Sequence, residues 1–276
     1  MFETATLGYS LACLGIIASS SEAPRDTKPL PVKHGKIASR DAGPVGMGQQ
    51  EIELVMTHRR AGSAWDGNRH RTDRAYAEST ALSIGYGRGI APDRDLEVAF
   101  DYRWLLDRKG GGLKDNDLGD TGISSRWRFL NKDGGAMQAA WATGLTFSAG
   151  PSATGQGYTS WDNNLIFSKD FGRWAVLANV KGILAVDRGD EDPFGQLRLN
   201  LALGYQAARW IQPEMELNYI REFLPQSQYS EGLRLTSGFV ITPNKSYRVD
   251  LGVQQSIYGK GVKRDTSFII KVKCYF

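Results

Sequence analysis

Residues 267–276, SFIIKVKCYF, decide how the rest of the chain is read. Phe268, Ile270, Val272, Cys274 and Phe276 fall on one side of a two-residue repeat. Lys271 and Lys273 fall on the other, beside Ser267, Ile269 and Tyr275. A strand sends alternate side chains to opposite faces, so one face is apolar and aromatic while the other carries two charges. Chain termini of soluble domains usually fray into polar residues, whereas this sequence stops on a phenylalanine.

The same alternation recurs upstream. Ile52, Leu54 and Met56 alternate with Glu51 and Glu53; Leu96, Val98, Phe100, Tyr102 and Trp104 alternate with Glu97, Asp101 and Arg103. Leu197, Leu199, Leu201 and Leu203 alternate with Arg198 and Asn200, and Tyr247, Val249, Leu251 and Val253 with Arg248 and Asp250. About twelve such segments follow residue 50, each near the 9–11 residues that a tilted strand needs to cross a bilayer. The expected connections alternate in length. Those at 59–75, 107–117, 149–158, 185–195, 223–231 and 257–265 are long and polar; those at 88–95, 130–135, 170–173, 207–212 and 242–246 are short.

This pattern predicts an all-β fold, an antiparallel transmembrane β-barrel of about twelve strands, with short periplasmic turns and longer external loops. An even strand number returns the C-terminus to the side of the N-terminus. Phe276 then ends the closing strand at the periplasmic rim, within reach of the barrel-assembly machinery. Aromatic residues gather toward both predicted rims: Trp104, Phe147, Trp161, Tyr219 and Phe268 at one, Phe129, Trp141, Trp174, Tyr205, Phe239, Tyr247 and Phe276 at the other. Two girdles are expected where a barrel wall meets the membrane interfaces. A secreted β-sandwich also alternates along its strands, but nothing in it would select girdles or paired loop lengths.

Composition narrows the classes further. The 276 residues are 41% hydrophobic and 23% charged, with no apolar run of the roughly 18 residues that a spanning helix requires. The formal charge of +4 is not gathered into a run, so nucleic acid is not an expected partner. Residues 1–23, MFETATLGYSLACLGIIASSSEA, have the apolar core and small-residue end of a signal peptide, although no Lys or Arg precedes Arg25. Residues 24–49 are rich in Pro, Gly and Lys and read as a flexible lead-in, and residues 50–276 as the barrel. Removal of the leader takes Cys13 with it and leaves Cys274 as a lone thiol, a small hydrophobe on the apolar face.

GDTGISSRWRF (119–129), GLTFSAGPSATGQG (144–157) and WDNNLIFSKDFGRWAVLANVKG (161–182) resemble an outer-membrane family labelled for a meta-pathway of phenol degradation. The resemblance covers most of 50–276 and rests on strand and turn patterns. It implies a barrel in the bacterial outer membrane that carries small organic solutes, aromatic compounds among them, and it implies no catalytic residues.

The polar strand faces supply the candidate lumen-lining residues: Arg103, Arg126, Arg128, Lys181, Arg198, Arg234, Arg248, Lys271, Lys273, Glu97 and Asp101. Such a lining sets solute preference, but cross-strand charge pairs also simply stabilise a wall. Lys271 and Lys273 are expected level with Glu51 and Glu53, and Glu97 opposite Arg126 and Arg128. With Glu51, Glu53, Asp162, Glu214, Glu216 and Asp250 on the same faces the signs nearly balance, which suits a neutral or weakly anionic solute better than the acidic oligosaccharides of a strongly basic porin. Small residues at Ala77, Ser79, Ala81, Ser83, Gly85, Ala140, Ala142 and Gly144 leave room along one wall.

Other chemistry is sparsely represented. His58 and Ser63 are the pair that a hydrolase at the outer rim would use, and an adhesin-like barrel would work through its loops. Neither outweighs the channel, so no enzymatic activity, cofactor or transition metal is expected. KDNDLGD (114–120) and DRGDED (187–192) read as solvated external loops that meet lipopolysaccharide, with calcium as a weaker option. GYGRG (85–89) has the glycines of a phosphate loop without a helix to follow it.

Overall fold

The computed structural model describes residues 37–72, 77–107, 112–131, 137–148, 156–190, 192–226 and 228–276. Among these residues there is no helix. The strands are β1 (Gln50–Trp65), β2 (Arg71–Thr72), β3 (Ala77–Ala91), β4 (Arg94–Asp107), β5 (Gly112–Leu130), β6 (Met137–Ser148) and β7 (Thr159–Phe171). They continue as β8 (Trp174–Asp187), β9 (Gly195–Tyr205), β10 (Ile211–Phe223), β11 (Tyr229–Ile241), β12 (Tyr247–Lys260) and β13 (Val262–Tyr275). Each wall strand pairs antiparallel with the next, and β13 pairs with β1, giving a closed twelve-strand barrel with β2 as a short addition on the end of β1.

The closing seam explains the terminal strand. Glu51 pairs with Tyr275, and the register runs on to Trp65 opposite Val262 with one shift, between Ala61 and Ser63. Beyond it, Gln50 N donates to Phe276 O (3.1 Å) and Phe276 N to Gln50 O (3.0 Å). The last residue therefore satisfies backbone groups that an open sheet edge would leave unpaired. Its ring, 69% exposed, stands outside.

Period-two patterning determines which face turns inward, and the result is the reverse of a water-soluble protein. On β10, Gln212, Glu214, Glu216 and Asn218 are at most 5% exposed, while Met215 and Leu217 are 55% and 40% exposed. Outward residues elsewhere include Ile84, Phe100, Trp141, Leu165, Leu201 and Phe239, all exposed. Buried charge faced by a belt of exposed aliphatic and aromatic side chains is stable only if the outer medium is apolar. Burying one such side chain in hydrocarbon is worth roughly 1.5–3 kcal/mol.

The rim holding residues 92–93, 172–173 and the Gln50–Phe276 end of the seam is here called the near rim, and the opposite one the far rim. At the near rim, Phe171 pairs with Trp174, and Gly172 takes φ 61°, the conformation this two-residue hairpin needs. Five of the six far-rim connections are shorter than the sequence predicts, because strand pairing outlasts the apolar pattern, while that between Ser148 and Thr159 has the expected length. β1 runs to Trp65, β5 contains 114–120, and the loop expected at 257–265 is strand except for Gly261, at φ 64°, its two arms pairing with β11 and β1. Hydrogen bonding between neighbours needs no apolar outer face, so strands rise beyond the belt as polar hairpins. Phe268, expected near the far rim, is midway along β13, opposite His58 and Val253.

The stretch read as a flexible lead-in does not stay outside the barrel. Its residues 37–46 pass through the lumen, with Ile37, Ala42 and Val45 buried, and the exposed residues 47–49 leave it along the near-rim end of β3. The leader region, including Cys13, lies outside the described residues.

Candidate functional site in the barrel lumen

The lumen has two halves of different character. The near half is crossed by residues 37–48. Ile37 is buried in a cluster with Val240 and Ile269, with Val55 packed against it. Gly238 and Gly252 make this seat possible: a Cβ on either would come within 2.7 Å of the Ile37 side chain. Ala42 is fully buried with Ala140, Ala142, Ile166, Leu177 and Ala202. The small wall residues Ala140 and Ala142 do leave room, and the chain itself takes it.

The backbone of the segment is held by side chains of the wall. Ile37 N donates to Glu214 Oε1 (3.1 Å), Ala38 N to Glu216 Oε1 (2.8 Å) and Val45 N to Asp95 Oδ2 (2.9 Å). In the other direction, Asn179 Nδ2 donates to Arg40 O (3.0 Å) and Arg126 Nη1 to Asp41 O (2.9 Å). An irregular backbone can lie at membrane depth only where protein groups or water satisfy it. Here carboxylates meet its N–H groups, and an amide and a guanidinium meet its carbonyls. Toward the near rim Gly46 presses on Gly89, where an added Cβ would stand 1.9 Å from Gly46 O. Together these contacts draw on every one of the twelve wall strands.

The predicted charged residues of the near half are tied into pairs. Lys273 Nζ lies 2.7 Å from both Glu51 Oε1 and Glu53 Oε2, as the seam register places it. Lys271 is buried opposite Val55, one step further along. Arg248 and Asp250 form a two-pronged pair at 2.7 Å on each prong. Glu97 does not meet Arg126 or Arg128. The β4–β5 register sets Arg126 against Asp95, with which it pairs, and Glu97 against Ser124. Glu97 instead binds Arg40 of the inserted segment (2.6 Å), and Arg128 reaches Gln138 (3.4 Å).

The far half holds Asp101 and Arg103 on β4, Lys181 on β8, Arg198 on β9 and Arg234 on β11. A cavity of about 290 Å³ opens here, lined by Arg59, Arg198, Arg234, Lys263, Glu222 and Ser230 among others. Asp265 is buried between Arg59 and Arg234, pairing with the first and lying 3.3 Å from the second, and it also accepts from Ser256. Glu222 accepts from Gln196 Nε2 (2.9 Å) and Ser230 Oγ (3.3 Å). Arg198 donates through Nε and Nη2 to one amide oxygen, Gln196 Oε1, at 3.0 and 2.7 Å. Lys181 lies 3.3 Å from Asp162.

Two sequence-level options lose their geometry. His58 lies on the outer face beside Thr80 (3.0 Å) and Glu78 (3.4 Å), whereas Ser63 is buried on the inner face, so the pair forms no dyad. Residues 114–120 belong to strand β5 and do not form a cation loop, and no cluster of possible metal ligands occurs among the described residues. The inserted segment and Arg59 were missed by reading strand faces alone. A usable signal was present: Gly85, Gly87 and Gly89 alternate along the inner face of β3, and the last two border Val45 and Gly46.

No family model matches the chain, and no curated protein matches it. Solved structures do. The COG4313 outer membrane channel from Pseudomonas putida F1 superposes with a TM-score of 0.70 at 13% identity, over 87% of this chain and all of that one. The NanC porin gives 0.54 at 7% identity, over 81% and 98%. The β domain of the Bordetella autotransporter BrkA gives 0.52 at 13% identity, over 83% and 100%. At these identities the likeness is one of fold.

Proposed function

We propose that this chain is a channel of the bacterial outer membrane through which small organic solutes pass, with the near rim facing the periplasm. One observation carries the reading: a closed barrel whose exposed surface is apolar and whose interior is charged. Such a wall is stable in lipid and offers a polar path through it. The likeness to the COG4313 channel and to the NanC porin supports the same reading. Residues 37–48 narrow the path in the near half. Selection among solutes then falls to the open far half, where Arg103, Lys181, Arg198 and Arg234 stand with Asp101.

Aromatic compounds are the proposed cargo, on the resemblance of 119–182 to the phenol-pathway family. The near balance of charge in the near half favours this over an acidic oligosaccharide. Phe276 at the seam is the element for the assembly machinery to read, and the far-rim hairpins meet lipopolysaccharide. The chain performs no catalysis in this reading and uses no cofactor.

The test is planar-bilayer conductance of the refolded full chain. Small, stable current steps are expected, partly blocked by an aromatic solute on the far side. A folded, heat-modifiable barrel that gives no steps in either polarity would overturn the channel and leave a closed scaffold.

A further inference from the structure

We propose that the far-half cavity binds the carboxylate of a small organic anion, with Arg198 as its principal contact and Arg234 and Arg59 beside it. The proposal rests on the channel reading and names the solute class of the same lumen. It begins with Arg198. A guanidinium carries five N–H donors in a planar fork suited to a carboxylate. Those of Arg198 on Nε and Nη2 converge on one neutral amide oxygen, and the side chain makes no ion pair among the described residues. In a wall where Arg126, Arg248, Lys181 and Lys273 each have a carboxylate, this is an exception.

The cross-strand register provides an independent observation. Lys181 on β8 is the direct partner of Arg198 on β9. Like charges directly opposite on a sheet destabilise it, and the salt bridge of Asp162 goes to the lysine, with its charge reaching Arg198 only from further off. An anion over Arg198 would offset that repulsion. The neighbouring carboxylates leave the position to a ligand. Asp265 is shared by two arginines and a serine, and both oxygens of Glu222 already accept hydrogen bonds. Among the described residues, Arg59, Arg198, Arg234 and Lys263 thus line the cavity with Glu222 as the one carboxylate.

The remaining lining gives the shape of the ligand. Ile220, Gly232 and Val262 form an apolar strip beside Arg198: Ile220 is the cross-strand partner of both Arg198 and Gly232, and a Cβ on Gly232 would meet Val262 at 3.6 Å. A carboxylate on the fork and a compact hydrocarbon body against Ile220 and Val262 would use both. A sugar acid, polar on every side, would leave those two side chains without a match.

The experiment is titration calorimetry of the refolded full chain in detergent, with benzoate and with benzamide, its uncharged counterpart. Wild type should bind benzoate and show no heat with benzamide at the same concentration. Arg198→Gln should weaken benzoate by roughly tenfold to a hundredfold, the range for losing one charge-assisted hydrogen bond. Arg198→Lys, which keeps the charge and loses the fork, covers the case in which the glutamine variant fails to fold; it too should bind more weakly. Arg209→Gln, exposed in the near-rim connection between β9 and β10, should bind as wild type does. Equal binding of benzoate and benzamide, or unchanged binding in Arg198→Lys, would overturn the site. Calorimetry needs no conduction. A conducting barrel that ignores benzoate removes the site alone, and a binding barrel that is silent in bilayers removes the channel alone.

Discussion

The near and far halves of the lumen are built by the same strands with the same inward alternation, yet one is filled and the other open. In the near half the wall offers glycine and alanine where the segment passes: Gly89, Ala140, Ala142, Ala202, Gly238 and Gly252. Its charges are either paired across the wall or turned onto the segment's backbone. In the far half long charged side chains such as Arg59, Arg198, Glu222 and Arg234 stand among small ones such as Ser230, Gly232 and Ser256, and fewer of the charges are matched. The difference teaches that room in a barrel is set by side-chain size at inward positions, since the strand number is common to both halves. It also separates two tasks, with narrowing in one half and selection in the other.

Removing the segment is the most severe way to break this comparison. Deletion of residues 37–47 should raise single-channel conductance several-fold and abolish the distinction between halves. The wall pairs Arg248–Asp250 and Lys273–Glu51 do not depend on the segment, so the barrel should still show heat-modifiable migration. A deleted barrel that folds and conducts like the full chain would mean the segment does not obstruct the path.

A single methyl group tests the same contact more finely. In Gly89→Ala the new Cβ would meet Gly46 O at 1.9 Å and Gly46 C at 2.4 Å, so the segment or strand β3 must shift. Overpacking of this kind costs about 1–3 kcal/mol. The conductance should move part of the way toward that of the deletion, with more current noise as the segment leaves and returns. Gly85→Ala, two pairs deeper on the same face, meets nothing nearer than 3.6 Å and should behave as wild type. If both variants conduct alike, the tight approach of Gly46 to Gly89 does not hold the segment.

The sequence made the wall legible and the interior much less so. Strict alternation in segments such as 96–104 and 197–203 permits one answer, because a one-residue slip would turn every charge toward lipid. The pairing of Lys273 with Glu51 and Glu53 could be read because both strands flank the seam. Glu97 shows the limit. Its face was evident, but the register that gives Arg126 to Asp95 depends on the extra residues that β5 carries at two register shifts, opposite Phe100–Tyr102 and Leu105–Leu106. Residues 37–48 carry no period at all. Their order comes from the surroundings, through carboxylates and small wall residues far away in sequence, which local pattern does not record. The open arginine, Arg198, was named as a lumen residue, but its lack of a carboxylate is a fact of three dimensions.

The smallest expected effect belongs to the far rim, whose hairpins are held by exposed hydrogen bonds. Asp66 Oδ1 accepts from Asn68 N and His70 N, both at 2.8 Å, while Asp66 O accepts from Arg69 N (3.1 Å) and Gly261 N (3.0 Å). The backbone N–H donors of His70 and Asn68 hold the Asp66 carboxyl below its ordinary value. A depressed carboxyl contributes stability that is complete above the unfolded value, near 3.9, and that fades as pH falls through the folded one. Acid should therefore loosen this turn, and with it the neighbouring Arg69–Glu231 pair at 2.8 Å. The amide resonances of Asn68 and His70 should titrate together, with a midpoint below that of a free aspartate, while those of Ile37 and Ala38 in the filled half stay unmoved by Asp66. In Asp66→Asn the joint step at Asn68 and His70 should vanish. A midpoint at or above the ordinary aspartate value would show that these two bonds do not hold the carboxylate, and the far rim would then owe its order to strand pairing alone.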